Sequence, residues 1–164
     1  MAIAAEFKKS SPSKGDINID VDPVTQCLEY TKGGVSVISV LTEHTHFKGS
    51  LDDMMAVRLA TQQWSSLNSM RRPAILRKDF ILDKYQVLEA RANGADTVLL
   101  IVAVLGVHQL SDLINYCREL GIEPLVEVHT EEEVDIGTSF AFLCTHSLLF
   151  LLIDLIFLSR SFTM

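Results

Sequence analysis

Positive charge is in short supply. The 164 residues hold 14 Lys and Arg against 21 Asp and Glu, for a formal net charge of −7 and a pI near 5.1. A general nucleic-acid binder needs a basic face to displace counterions from phosphates, so that class is excluded, although a local basic pocket for a small anion is not. Cysteine is scarce as well: Cys27, Cys117 and Cys144 are odd in number, scattered, and without C-x-x-C spacing. That excludes a disulfide framework or a zinc ribbon. It points to a reducing compartment, the cytoplasm, or a plastid if the source is a plant or alga. Met1 to Lys9 lack the basic-then-apolar layout of a signal peptide. No G-x-G-x-x-G follows the first apolar run and no Walker A motif occurs anywhere, which lowers the case for a nucleotide-binding open sheet.

Apolar residues are plentiful, at 48% of the chain. This suffices for one domain with a sizeable core. The average hides a seam, because beyond position 135 the only charged residues are Asp154 and Arg160. Phe140, Phe142, Phe150, Phe157 and Phe162 all fall there too. Residues 1–135 read as an ordinary soluble domain and residues 136–164 as an apolar tail. The tail has three competing accounts. Residues 139–158 are about long enough to span a bilayer, but Asp154 and His146 make that costly. The tail could instead be a buried core helix, or a segment foreign to the domain.

Within residues 1–135, short apolar runs alternate with amphipathic stretches. Strands are expected over 2–8 (AIAAEFK), 35–42 (VSVISVLT), 74–80 (AILRKDF), 97–102 (TVLLIV) and 125–128 (LVEV). Near-continuous β-branched and apolar runs suit parallel strands covered on both faces. Helices are expected between them. Asp22-Pro23 opens one that Gly33-Gly34 ends; Ser50 with Asp53 resembles a capping box; Asp83 opens a third, closed near Gly94. Val107, Leu110, Leu113, Ile114, Cys117 and Leu120 make one helical stripe stopped by Gly121. Thr130 and the three glutamates after it start another helix, which the seam interrupts. The alternation predicts an α/β fold with a parallel sheet, either doubly wound or a (β/α)₈ barrel.

Charge interrupts three of these strands near their C-terminal ends. Residues two apart share a face, so Glu6 lies with Lys8, Leu76 with Lys78 and Phe80, and Leu125 with Glu127 and His129. In a closed parallel barrel that end carries the active site. Two amines and two carboxylates converging there could hold an anion, donate a proton and take one back. Taken singly, each could be no more than a strand-end salt bridge. His44 and His46 have same-face spacing but no third ligand, so no metal site is expected.

The segments IAAEFKKSSPSKG, SVLTEHTHFKGS, LRKDFILDKYQVLEARANGADTVLLIVAVL and EPLVEVHTEEE resemble, in order, the first to fifth strands of the indole-3-glycerol-phosphate synthase family. The resemblance covers residues 1 to about 135 almost continuously. It implies a partial (β/α)₈ TIM barrel of about five strands and a lyase of tryptophan biosynthesis. The reaction closes the indole ring of 1-(2-carboxyphenylamino)-1-deoxyribulose 5-phosphate with loss of CO₂ and water, without metal or organic cofactor. Carried over by motif, Lys78 is the general acid on the ketone oxygen and Lys8 holds the substrate carboxylate. Glu127 is the partner acid/base, and Glu6 orients Lys8. Ser11, Phe47 and Phe80 line the substrate pocket. The implied partner is a small anionic phosphorylated substrate, with no nucleic acid and no membrane, and membership of a larger multifunctional tryptophan-pathway polypeptide is open. Another phosphate-binding barrel lyase or Schiff-base aldolase using Lys78, or a non-catalytic membrane- or partner-binding remnant, stands as the alternative.

A full barrel of this kind takes about 250 residues. The G-I-N-N-R-like and E-S-G-like segments of the family's later strands, and its phosphate-binding backbone, have no counterpart after Asp135. The expectation is a fragment with little or no turnover by itself and with a tail foreign to the domain.

Overall fold

The computed structural model describes residues 2–141. Five parallel strands form one sheet: β1 (Ala4–Phe7), β4 (Val37–Leu41), β5 (Ala74–Lys78), β6 (Thr97–Ile101) and β7 (Leu125–Glu127). Two shorter strands, β2 (Ser10–Ser11) and β3 (Gly15–Asp16), pair as an antiparallel hairpin directly after β1. The helices are α1 (Pro23–Lys32), α2 (Leu51–Leu67), α3 (Lys84–Ala92), α4 (Val107–Glu119) and α5 (Glu131–Ala141).

Local chemistry explains where the helices begin and end. Asp22, Ser50 and Asp83 stand at N-caps and accept from Thr25 N–H, Asp53 N–H and Gln86 N–H at 2.7, 3.0 and 2.9 Å. The reciprocal capping box belongs to Asp83 and Gln86. At Ser50 the Asp53 carboxylate is engaged elsewhere, by Lys9 Nζ at 2.7 Å. Gly34, Gly94 and Gly121 take positive φ just past α1, α3 and α4, the left-handed stop that glycine adopts without Cβ strain. Thr130 Oγ1 accepts from Glu133 N–H at 3.2 Å, and α5 runs on to Ala141, past the composition seam. Gly137 lets α5 lie close on β7, since a Cβ there would stand 3.2 Å from a Val128 methyl.

Strand order decides between the two α/β architectures. The sheet runs β1-β4-β5-β6-β7, each strand beside its predecessor in the chain, without the reversal of order that marks a doubly wound sheet. The register carries one face across the sheet: Glu6 is opposite Ser39, Ser39 opposite Leu76, Leu41 opposite Lys78, and Ile101 opposite Glu127. The alternate residues Phe7, Ile38, Val40, Ile75, Val98, Leu100 and Val126 share one core cluster with the apolar stripes of the helices. Leu41, Leu76 and Leu99 are also buried but stand outside that cluster. The helices therefore cover one face, and the other is the inner, concave side of a partial (β/α)₈ barrel. Among the described residues no helix is long and apolar enough to cross a membrane. The expectations about the tail beyond Ala141 lie outside the described residues.

Candidate active site

The same alternation that buries the core aims charge into the concave side. Glu6 and Lys78 lie on the inner face by register, and so does Glu127. Lys8 follows two residues after Glu6 on the same side. All four stand at the C-terminal ends of their strands, where successive same-face residues rise roughly 7 Å. They form two ion pairs: Lys8 Nζ to Glu6 Oε1 at 2.7 Å, and Lys78 Nζ to Glu127 Oε2 at 3.5 Å. The second pair reaches across β6, which lies between the two strands that bear it. These side chains are about a quarter to a third exposed, the condition of groups lining an open cavity. Beside and between them on the same face, Leu41, Leu76 and Leu99 make an apolar floor, which also carries the buried Ser39 hydroxyl, without a hydrogen-bond partner among the described residues.

The neighbour of each lysine points the other way and pins its strand end to the helices. Lys9 pairs with Asp53 of α2 and lies 5.9 Å from the Phe7 ring centre. Arg77 is buried, and its guanidinium donates to Thr42 Oγ1 (3.2 Å), Gln86 O (2.9 Å), Glu89 Oε2 (3.0 Å) and Asp79 Oδ2 (3.0 Å). Asp79 also accepts from Thr42 Oγ1–H at 2.6 Å and from Phe80 N–H at 2.9 Å. One buried fork thus ties the ends of β4 and β5 to α3 and holds the turn on which Lys78 and Phe80 stand.

Ser11, Phe47 and Phe80 occupy loops at this same end. Ser11 is buried in the hairpin after β1, where its Oγ accepts from Lys14 N–H at 3.3 Å. Phe47 is half-buried in the loop after β4, and Phe80 is exposed after β5. Glu43 organises the Phe47 loop by accepting from Thr45, His46 and Phe47 N–H at 2.7, 2.7 and 3.1 Å. Burial alone would raise its pKa, but those three amides outweigh burial and hold it down to about 2. Gly49 closes the loop against the Leu41 carbonyl, where a Cβ would come 2.6 Å from the carbonyl carbon. His44 and His46 are exposed on this loop.

Arg77, Asp79 and Glu43 are the residues that reading by strand face did not single out, whereas His129 was placed on the face of Glu127 without a role. Arg77 carried a signal, a charge in the middle of an otherwise apolar strand. Glu43 and Asp79 carried none: the partners of Glu43 are main-chain amides, and Asp79 meets Arg77 only through a network that also draws in Thr42, far away in sequence.

Comparison with known proteins identifies the family. The family model of indole-3-glycerol phosphate synthase matches residues 1–141. The chain belongs to the indole-3-glycerol phosphate synthase family. It is 54% identical over 133 residues to the multifunctional tryptophan biosynthesis protein of Schizosaccharomyces pombe, covering 81% of this chain and 17% of that one. It is 48% identical over 135 residues to the indole-3-glycerol phosphate synthase of Paenarthrobacter aurescens, covering 82% and 46%. The chain thus spans about half the length of its single-function relative (46%). Among solved structures it resembles 3-keto-L-gulonate-6-phosphate decarboxylase from Vibrio cholerae, with a TM-score of 0.59 at 11% identity, covering 87% of this chain and 58% of that one. That likeness speaks for the barrel fold alone. The LRKDF and LVEV segments, on which the resemblance to the family rests, lie at the ends of β5 and β7, which bear the Lys78–Glu127 pair.

Proposed function

We propose that the chain supplies the acid–base half of an indole-3-glycerol-phosphate synthase site. Its substrate is 1-(2-carboxyphenylamino)-1-deoxyribulose 5-phosphate, and Lys78, Glu127, Lys8 and Glu6 carry the chemistry. The Lys78–Glu127 contact at 3.5 Å on the concave face is the observation that supports this most directly. Lys8, steadied by Glu6, holds the substrate carboxylate. Lys78 gives a proton to the ketone oxygen while the ring carbon bearing the carboxylate attacks the carbonyl carbon. The carboxylate then leaves as CO₂, and its bonding electrons restore the aromatic ring. Glu127 takes a proton from the methylene beside nitrogen as the new hydroxyl departs, protonated, as water. Lys78, recharged from solvent, supplies the proton that the hydroxyl carries away, so the substrate carboxylate and one solvent proton become indole product, CO₂ and water, while the proton taken by Glu127 offsets the one Lys78 first gave. The apolar floor of Leu41, Leu76 and Leu99 suits the aromatic ring, with Phe47 and Phe80 at the rim and Ser11 in the hairpin beside it. A place within a larger multifunctional tryptophan-pathway polypeptide belongs to this reading. So does a domain of residues 1–135 with a tail foreign to it.

The test is reconstitution. The full chain is mixed with the remaining (β/α) units of a single-function relative, and indole-3-glycerol phosphate is followed by its fluorescence. Product is expected, and Lys78→Met is expected to lower turnover at least a thousandfold. Equal turnover by Lys78→Met, or no product from the unmodified chain, overturns the proposal.

A further inference from the structure

The Glu127 carboxylate has a separate partner for each oxygen. Oε2 faces Lys78 Nζ at 3.5 Å, and Oε1 accepts from His129 Nε2–H at 2.9 Å. β7 ends at Glu127, so His129 is held by something other than the sheet. Its backbone N–H donates to Glu133 Oε2 at 2.7 Å, in the first turn of α5. Glu133 N–H in turn donates to Thr130 Oγ1, the cap of that helix. The imidazole is 42% exposed and Glu127 24%, so the ring lies on the solvent side of the pair.

A glutamate at a strand end has several rotamers within reach of one another. Gripping one oxygen from a second element leaves it one. We infer that His129 is a positioning residue for Glu127: it fixes Oε1 so that Oε2 is the oxygen presented to Lys78 and to the substrate's carbon-bound proton. This rests on the function proposed above. His129 acts through Glu127, so its removal slows the chemical step and leaves substrate affinity alone.

Two measurements test it. In the reconstituted assay, His129→Leu is expected to lower kcat about tenfold with KM changed less than about twofold. His129→Gln, whose amide can donate to the same oxygen, should recover most of that loss. Equal losses in the two variants, or a change in KM with kcat intact, overturns the inference. Lys78→Met run alongside separates the two ideas, because full turnover there sinks the underlying reading instead. The second measurement needs no turnover. In the chain alone, long-range ¹H–¹⁵N correlation should find His129 protonated at Nε2, with ring signals that move in Glu127→Leu. Ring signals indifferent to that substitution would mean that the hydrogen bond is absent, and the inference falls whatever the assay gives.

Discussion

Replacing Arg77 by Met removes the clamp under the candidate acid while leaving the acid in place. The Arg77 side chain is 5% exposed and makes four hydrogen bonds, two of them to carboxylates. Removing one member of a buried ion pair typically costs about 3–5 kcal/mol, because the partner's charge stays buried without its counter-charge. Two features place this case at the lower end. Asp79 keeps its bonds from Thr42 and Phe80, and Glu89, 27% exposed, can turn to water. Met fills most of the space left by the Arg stem, so little is added for a cavity. The expected loss is about 3 kcal/mol, which at roughly 2 kcal/mol per molar urea moves the unfolding midpoint down by about 1.5 M. Arg77→Lys keeps the charge but not the fork and should lose about half as much. Urea titration followed by circular dichroism reads both. A midpoint for Arg77→Met within about 0.3 M of the unmodified chain, at unchanged slope, would refute the idea that this network holds the end of β5.

Glu43 predicts an acid response of definite sign. Its pKa in the folded chain is about 2 against an ordinary 4.5, so its contribution to stability is full above 4.5 and is lost as the pH falls toward 2. Glu43→Gln should therefore lower the urea midpoint at pH 7 by an amount that shrinks between pH 4.5 and 2; a constant gap would show that the loop does not depend on the ionised carboxylate. Burial first, then the Asp22 and Asp53 carboxylates, push the Cys27 thiol up to about 12, and burial followed by Glu123 does the same for Cys117. Iodoacetamide at pH 8 should leave both unlabelled until urea unfolds the chain, by peptide mass spectrometry; native labelling at rates near those of a free thiol would contradict their burial.

The five long strands and five helices were legible because each is written in local terms. Apolar runs of about five residues, N-caps at Asp22, Ser50 and Asp83, and glycine stops at Gly34, Gly94 and Gly121 act within a few residues. The shared face of Glu6, Lys8, Lys78 and Glu127 followed from the two-residue period, since β1, β5 and β7 carry no bulge to shift the alternation. The choice of barrel over doubly wound sheet was not local, because it depends on strand order; the missing G-x-G-x-x-G leaned against the open sheet, and the family resemblance pointed to the barrel. The clamp under Lys78 was hidden for the same reason: Thr42, Arg77 and Glu89 meet only after β4, β5 and α3 are assembled. The hairpin of Ser10–Ser11 with Gly15–Asp16 was too short for any periodicity, so only the resemblance pointed to Ser11, which is buried there with its Oγ accepting from Lys14 N–H. The helix past Asp135 shows that an abrupt change in composition need not coincide with the end of an element.

The back-to-back placement of Arg77 and Lys78 makes the hydrogen-bonding frame of β5 part of the proposed chemistry. Sliding that strand by a single position would trade the two cations, sending an ammonium among the helices and a guanidinium into the basin where a proton must be given up. A guanidinium holds its proton too tightly to serve, so the slipped sheet would keep its charge and lose its candidate acid. Insertions or deletions within β5 should consequently be far less tolerable than almost any replacement along it.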